Sequence, residues 1–132
     1  HYDLILSSSA LQWSKDLSKI IKHLSLITTE INAVLFTSNT FKTIQEITNT
    51  KSPILDELSI KEAFLRYFEC EFETIMYKLE FDNKKDLFDY IKKSGVSGEA
   101  SLDFKDAKKL YKEYNLNYLE FEVIFVKTIS KL

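Results

Sequence analysis

The sequence predicts an α/β fold in which a sheet of about four strands lies between two layers of helices. Two short, strongly apolar runs near the N-terminus flank a stretch with helical periodicity, and two later runs alternate apolar with polar residues. Further helical patterns separate those runs, so the order is strand, helix, strand, helices, strand, helices, strand. With 132 residues, of which 45% are hydrophobic, the chain is expected to form one domain with one core.

The first 38 residues predict a strand, a crossover helix and a second strand. Asp3–Ser7 is apolar on consecutive positions, which is typical of a short strand covered on both faces. Lys15–Ile27 carries apolar residues at helical spacing, and Ser14 is placed to cap that helix. Ile31–Ser38 is a second buried strand, and strands joined in this way are expected to be parallel.

The middle of the chain predicts two helices and a strand. A short helix carries Phe41, Ile44 and Ile47, and after the break at Ser52-Pro53 a second helix opens with the capping box Ser59-Ile60-Lys61-Glu62. The stretch 72–81 then alternates as a strand, with a bulge expected around Glu73 and Thr74.

The last third predicts two more helices and a closing strand. The first of these helices is capped by Asp82 or Asn83 and ended by Gly95, and the second is capped by Asp103. The closing strand, 118–128, begins with apolar residues that alternate with Glu120 and Glu122, and then becomes apolar on both faces.

Composition excludes several classes of function. A formal charge of −2 is the reverse of the basic balance that binding to nucleic acid requires. Cys70 is the single cysteine, so no intrachain disulfide can form, and we expect it to be a small buried hydrophobe in a reducing compartment. No run resembles a signal peptide or a membrane span, and we expect a soluble, cytoplasmic protein that contacts neither membrane nor nucleic acid.

Chemistry is expected where the two parallel strands end, at Ser7–Trp13 and Thr37–Thr40, because ligands of open α/β sheets bind there. Three serines in a row also suit a tight turn, and Trp13 can be either a packing anchor or a pocket wall. His23 is expected to be a solvated surface residue, and no cluster has metal-ligand spacing. Catalytic residues are not identified by these patterns.

One segment resembles a known family. Tyr2–Trp13, reading YDLILSSSALQW, resembles the fourth strand and following turn of class I S-adenosylmethionine-dependent methyltransferases, most closely the malonyl-acyl-carrier-protein O-methyltransferases of biotin synthesis. Three more stretches are similar to that family's fifth strand with its next helix, its late helix and its closing strand: 36–46, 87–96 and 121–125.

The resemblance implies the second half of a Rossmann-like methyltransferase fold, a mixed sheet whose last strand is antiparallel. Family members carry a Gly-rich cofactor loop and a ribose-binding acid that have no counterpart here, and the buried strand begins at Tyr2 with no Met before it. Residues 1–132 are therefore expected to be the C-terminal portion of a methyltransferase domain, inactive alone and binding S-adenosylmethionine weakly or not at all.

The resemblance also implies an activity, a cofactor side and a partner. The full-length protein is expected to methylate the malonyl carboxylate of malonyl-acyl-carrier protein, with S-adenosylmethionine as methyl donor. An acidic carrier protein requires a basic surface, for which we single out Lys92 and Lys93, although lysines at this spacing are more often solvated helix faces. The implied cofactor-side residues are Ser7, Ser8, Ser9, Leu11, Gln12 and Trp13.

Two other functions stay open. Trans-aconitate-type methyltransferases share the Leu-Gln-Trp feature, but their small tricarboxylate acceptor favours a cationic pocket and Arg66 is the single arginine. The chain can also be a catalytically silent module that associates through its surface. The unpaired edge of the Tyr2–Ser7 strand then predicts a homodimer or strand exchange.

Overall fold

Strands and helices alternate along the chain in the predicted order. A computed structural model describes residues 4–8, 16–93 and 104–132. Within those ranges the strands are β1 (Ile5–Ser8), β2 (Ile31–Phe36), β3 (Phe68–Glu80) and β4 (Tyr118–Lys131). The helices are α1 (Leu17–Ser25), α2 (Lys42–Thr48), α3 (Glu57–Leu65), α4 (Lys84–Lys93) and α5 (Phe104–Glu113).

The strands form one mixed sheet with the spatial order β1-β2-β4-β3. β1 and β2 are parallel, with Ile5 opposite Ile31 and Ser8 opposite Val34, as predicted for the first strand-helix-strand unit. β4 lies between β2 and β3 and is antiparallel to both, which confirms the expected direction of the last strand. Because β1, β2 and β3 point the same way, their C-terminal ends meet at one edge of the sheet, which we call the carboxyl edge.

One face of the sheet packs against α1 and α3. Side chains alternate between the two faces along a strand, and β2 turns Ile31, Ala33 and Leu35 to this side. The helices and the other strands complete a single cluster of buried residues that includes Leu17, Ile21, Ile60, Ala63, Phe64, Phe68, Ile124 and Val126.

The opposite face packs against α2, α4 and α5. Its cluster is centred on the carboxyl half of the sheet, where β3 and β4 extend as a two-stranded ribbon beyond the end of β2. The members of this cluster are Ile44, Leu87, Ile91, Leu110, Tyr114, Leu119 and Phe121. Helices therefore lie on both faces of the sheet, although they cover only part of the second one, and the predicted three-layer arrangement is confirmed.

The other half of this second face is open to solvent in the described part of the chain. Two rows of paired residues cross it, and they line a groove of about 920 Å³. The side chain of Leu6 is 72% exposed and that of Phe125 is 40% exposed. We call this surface the open sheet face, and its rows are Leu6-Asn32-Lys127-Glu71 and Val34-Phe125-Glu73.

Two predicted helix caps are wrong. α1 is capped by Asp16 rather than Ser14, because the Asp16 carboxylate accepts the backbone N–H of Lys19 at 3.1 Å. α3 is capped by Asp56, whose carboxylate accepts the N–H of Ser59 at 2.8 Å, so the proposed capping box at Ser59 does not form. In each case a carboxylate stands at the residue where the chain enters the helix, and it satisfies a free amide of the first turn.

The third strand begins four residues earlier than predicted, at Phe68. Its irregularity lies between Glu69 and Cys70 and not at Glu73 and Thr74, because the pairing with β4 is regular from Cys70 onward. Asn83 caps α4 as predicted, since its side-chain oxygen accepts the N–H of Asp86 at 2.8 Å. The predicted helix end at Gly95 and the predicted helix cap at Asp103 lie outside the described residues. Among the described helices, none has the length and apolarity needed to cross a membrane.

Candidate functional site

The carboxyl edge brings together the two segments that the sequence predicts to face a ligand. Ser7 and Ser8 are the last two residues of β1. The segment 37–40 directly follows β2, the parallel neighbour of β1. The other predicted cofactor-side residues, Ser9, Leu11, Gln12 and Trp13, lie outside the described residues.

The turn after β2 is fastened to the first half of β4. The backbone N–H of Thr37 donates to the carbonyl of Glu122 at 2.9 Å, and the N–H of Phe41 donates to the carbonyl of Glu120 at 2.8 Å. On the other side, the N–H of Ser38 donates to the carbonyl of Leu55 at 3.0 Å. We call residues 37–41 the β2 turn.

Glu122 organises the polar side chains of the β2 turn. Its side chain is only 7% exposed, and its Oε1 accepts hydrogen bonds from Thr37 Oγ1 at 2.8 Å and Asn39 Nδ2 at 3.1 Å. Thr40 Oγ1 donates to the carbonyl of Glu122 at 3.2 Å and accepts its N–H at 3.1 Å. A carboxylate that forms such bonds holds its donors more firmly than a neutral acceptor does.

Glu120 has the corresponding role at the start of α2. It is 9% exposed, and its Oε2 accepts both the N–H and the hydroxyl of Thr43, at 3.0 and 2.9 Å. The Tyr114 hydroxyl donates to the Tyr118 carbonyl at 2.6 Å and lies 3.4 Å from Glu120 Oε1. Burial and the neighbouring Glu120 carboxylate raise the pKa of Tyr114, which keeps this phenol protonated as a donor.

Phe41 is in the left-handed region of the backbone map, with φ 59° and ψ 39°. This conformation is unfavourable for a residue with a bulky side chain. Contacts around it hold the residue in place: its N–H is bonded to β4, and its ring packs edge-on against Phe121 with the ring centres 4.8 Å apart. Backbone strain of this kind concentrates at functional sites.

A polar hollow of about 350 Å³ opens beside the β2 turn. The Gln45 amide donates to the carbonyls of Ser38 and Thr40, both at 2.8 Å, and thereby fixes one wall. Further lining residues are Thr50, Lys51, Ser52 and Asp56. The hollow is large enough for part of a small acceptor molecule.

The described residues provide positioning groups rather than reactive ones. They contain no group of three or more His, Cys, Asp or Glu side chains that could hold a metal ion. Burial raises the pKa of the Cys70 thiol to about 11, so this side chain stays protonated near neutral pH, as expected for a partly buried hydrophobe. His23 is exposed on α1, as predicted.

Lys92 and Lys93 are exposed in the last turn of α4. In both α4 and α5 four lysines accompany two acidic residues. The two helices contact each other through Phe88 and Tyr111, whose ring centres are 5.2 Å apart. Lys84 lies over the Tyr111 ring at 4.5 Å, and we call the lysine-rich surface of these two neighbouring helices the basic surface.

Sequence reasoning missed Glu120 and Glu122. Both alternate with Leu119, Phe121 and Val123, and this alternation places them on the strand face opposite those apolar residues, where glutamates are usually solvated. The structure buries them instead, because the β2 turn covers that face. One signal was available: the same strand becomes apolar on both faces after Val123, which indicates a central strand whose polar residues need partners.

No protein-family model and no curated protein matches the sequence. Among solved structures, the chain is similar to a protein from Bacillus halodurans C-125 that is provisionally named a methyltransferase. The TM-score is 0.56 at 10% sequence identity, and the match covers 94% of this chain and 67% of the other. At this identity the likeness concerns the fold, and it confirms the Rossmann-like α/β class that the sequence predicts.

A second similar structure is phosphoethanolamine N-methyltransferase 2 of Haemonchus contortus, in complex with phosphomonomethylethanolamine and S-adenosylhomocysteine. The TM-score is 0.48 at 13% identity, and the match covers 98% of this chain and 34% of the other. The chain thus spans about a third of that protein's length. No conclusion rests on this second likeness.

Proposed function

We propose that the full-length protein is an S-adenosylmethionine-dependent carboxyl O-methyltransferase that methylates the malonyl group of malonyl-acyl-carrier protein in biotin synthesis. The observation that carries the proposal is the sheet β1-β2-β4-β3 with its antiparallel β4, in a fold shared with a protein that is named a methyltransferase. The resemblance of Tyr2–Trp13 to the fourth strand and turn of the malonyl enzymes supports the finer assignment.

The chemistry fits a site that positions groups and lacks a base. A malonyl carboxylate is already ionised near neutral pH, so methyl transfer needs alignment of the two reactants and exclusion of water. The β2 turn, held by Glu120 and Glu122, and the hollow beside it are suited to hold the acceptor.

S-adenosylmethionine supplies the methyl group, and this chain provides one side of its site. Ser7 and Ser8 end β1 at the carboxyl edge, where a cofactor turn belongs. The remaining proposed residues are Ser9, Leu11, Gln12 and Trp13. The sequence has only two glycines, Gly95 and Gly98, and neither is placed to form a phosphate-type loop after a strand.

We therefore propose that residues 1–132 act as the C-terminal portion of a larger methyltransferase domain. The open sheet face supports this proposal, because an apolar sheet surface is normally covered by another layer. A covering segment would be apolar opposite Leu6, Val34 and Phe125, and it would carry an acid near Lys127.

Two measurements test the proposed activity of the full-length protein and the proposal that this chain is only part of its cofactor-binding domain. The full-length gene product, given methyl-labelled S-adenosylmethionine, is expected to label malonyl-acyl-carrier protein and not trans-aconitate; labelling of trans-aconitate alone would reverse the assignment. In calorimetry, the 132-residue chain by itself is expected to bind S-adenosylmethionine weakly or not at all. Submicromolar binding by this chain would overturn the proposal that it is only part of the domain.

The proposed docking site for the acidic carrier protein is the basic surface, with Lys92 and Lys93 as the proposed contacts. Charge reversal of both in the full-length protein should raise the Michaelis constant for the carrier-protein substrate and leave that for the cofactor unchanged. The matched control is Lys22→Glu, which reverses an exposed last-turn lysine of α1 on the other side of the sheet. An unchanged constant after reversal of Lys92 and Lys93 would eliminate the docking site.

The trans-aconitate alternative gains no support from the position of Arg66. This residue lines a hollow of about 210 Å³ between α1 and α3, together with Asp16 and Glu62. Two carboxylates beside one guanidinium disfavour a ligand with three negative charges. The other alternative, a silent module that self-associates, is favoured by the exposed apolar residues of the open sheet face and by the outer edge of β1, which pairs with no other described strand.

A further inference from the structure

We infer that Glu122 is a positioning residue for the methyl acceptor: it holds the β2 turn in the one shape that presents Ser38 and Asn39 at the carboxyl edge. The inference rests on the proposed function and deepens it, because it names the part of the chain that selects the acceptor.

In the described part of the chain, the hydrogen bonds to the Glu122 side chain come from the β2 turn, while strand pairing places Glu122 opposite Met76. Oε1 accepts hydrogen bonds from Thr37 and Asn39, the Glu122 carbonyl accepts from the Thr37 N–H and the Thr40 hydroxyl, and the Glu122 N–H donates to Thr40 Oγ1. All of these partners lie within four consecutive residues that directly follow β2. Glu122 thus binds three residues of the turn, and the carbonyls of Glu120 and Leu55 bind the other two.

In the described part of the chain, no basic side chain forms a salt bridge with Glu122. The salt bridge found there joins Lys61 to Glu57. A buried carboxylate without a cation is costly unless several donors satisfy it. For filling space in the core, an apolar residue such as its strand neighbour Ile124 would serve without this cost. The retained carboxylate therefore indicates that orientation of the donors is what it contributes.

The backbone of the turn provides an independent observation. Phe41 closes the turn in the left-handed region at φ 59°, and the Gln45 amide joins the carbonyls of Ser38 and Thr40. Such a conformation persists only where its surroundings enforce it. The two glutamates, Gln45 and the contact with Phe121 are those surroundings.

The turn presents two polar residues to a ligand. Asn39 is exposed, with its amide nitrogen already oriented by Glu122, and Ser38 lines the polar hollow. An amide and a hydroxyl are suited to the oxygens of a carboxylate or thioester acceptor. A small displacement of the turn would misalign that acceptor against the methyl group, at a cost in rate of up to roughly a hundredfold.

The experiment compares three variants of the full-length protein: Glu122→Ala, Glu122→Gln and the control Glu69→Ala. Glu122→Gln keeps an oxygen that can accept from Thr37 and Asn39. Glu69 also accepts a side-chain hydrogen bond, from the Ser130 hydroxyl at 3.1 Å, but Glu69 lies at the opposite end of the sheet. Malonyl-acyl-carrier protein and S-adenosylmethionine are the probes, and amide hydrogen exchange over residues 37–43 reports the turn directly.

We expect Glu122→Ala to lower kcat/KM for the acceptor by roughly ten- to a hundredfold, with the KM for the cofactor changed less than about twofold. Exchange over the turn should accelerate in this variant. Glu122→Gln should restore most of the activity, and Glu69→Ala should behave as the wild type.

The contrary outcomes are distinct. An unchanged acceptor kcat/KM in Glu122→Ala, in an active protein, would overturn the positioning role alone. An equal loss of acceptor kcat/KM in Glu122→Ala and Glu122→Gln would also overturn the positioning role, because the negative charge of Glu122, and not its hydrogen-bond geometry, would then be what matters. A wild-type protein without methyl transfer to any carboxylate would instead refute the proposed function itself, and with it the acceptor role of the turn.

Discussion

Tyr114 joins α5 to β4 through one short hydrogen bond. Its ring is 1% exposed, and its hydroxyl donates to the Tyr118 carbonyl at 2.6 Å. Tyr114→Phe would leave that carbonyl and Glu120 with one donor fewer inside the protein. We expect the free energy of unfolding to fall by about 1–2 kcal/mol, measured by urea denaturation.

Tyr111→Phe is the matched control for Tyr114→Phe. Tyr111 is on α5, three residues before Tyr114, and is 56% exposed, so removal of its hydroxyl should change the stability by less than about 0.5 kcal/mol. Equal effects of the two changes would contradict the role assigned to the Tyr114 hydroxyl.

Individual site residues are predictable from the sequence where a strand end fixes their position. The end of β2 placed Thr37–Thr40 at the carboxyl edge, and the structure confirms that placement. Glu120 and Glu122 were not predictable in the same way, because their burial depends on the β2 turn that folds over them. A pattern of period two gives the face of a residue, but it does not say what covers that face.

Asp56 caps the N-terminus of α3, and its contribution to the free energy of unfolding should depend on pH. The hydrogen bonds from Ser59 lower the pKa of Asp56 below 3.8. A lowered pKa in the folded state means that the stabilisation is present above about pH 4 and is lost as the pH falls through the folded value. We expect Asp56→Ala to destabilise the chain by about 1 kcal/mol near pH 7, with the difference disappearing in strong acid.

Ser59→Ala is the control for Asp56→Ala, because a capping box at Ser59 would assign the larger loss to Ser59. Ser59 donates its backbone N–H to the cap, and alanine retains that group but loses the hydroxyl that also lowers the pKa of Asp56, so Ser59→Ala should cost less than Asp56→Ala. Thermal or urea unfolding of both variants at two pH values distinguishes the two assignments.

The end of α2 offers a second helix-terminus experiment. Asn49 adopts the left-handed conformation, φ 52° and ψ 42°, and its N–H donates to the Gln45 carbonyl. Asn49→Ala should cost about 1 kcal/mol, because the β-carbon disfavours this conformation. Asn49→Gly keeps the required backbone freedom and should differ from the wild type by less than about 0.5 kcal/mol. Equal stabilities of the Ala and Gly variants would contradict the conformation at this position.

The order and type of the elements were predictable, because each one buries a periodic apolar pattern. The boundaries were less so. β3 begins at Phe68 although Glu69, Glu71 and Glu73 interrupt its apolar pattern, since pairing with β4 and not the composition of its outer face stabilises it. The same long-range pairing explains why the irregularity lies at Glu69 and Cys70.

At the scale of the whole molecule, the open sheet face and the edge of β1, which has no strand partner among the described residues, predict self-association of the isolated chain. Leu6→Lys places a charge on that face and should shift the chain toward monomer in sedimentation analysis over a range of concentrations. Leu26→Lys is the control, because Leu26 is similarly exposed, at 69%, but lies at the end of α1 on the other side of the sheet. A wild-type chain that stays monomeric at high concentration would contradict this expectation.

The position of β4 has a consequence for synthesis of the protein on the ribosome. β4 is translated after the other three strands, yet it lies between β2 and β3 and is the described partner of β3. Until it emerges, β2 and β3 expose long unpaired edges, and α3 has only part of its packing surface. The sheet therefore closes late and through contacts distant in sequence, which makes folding slow and the nascent chain dependent on protection from aggregation.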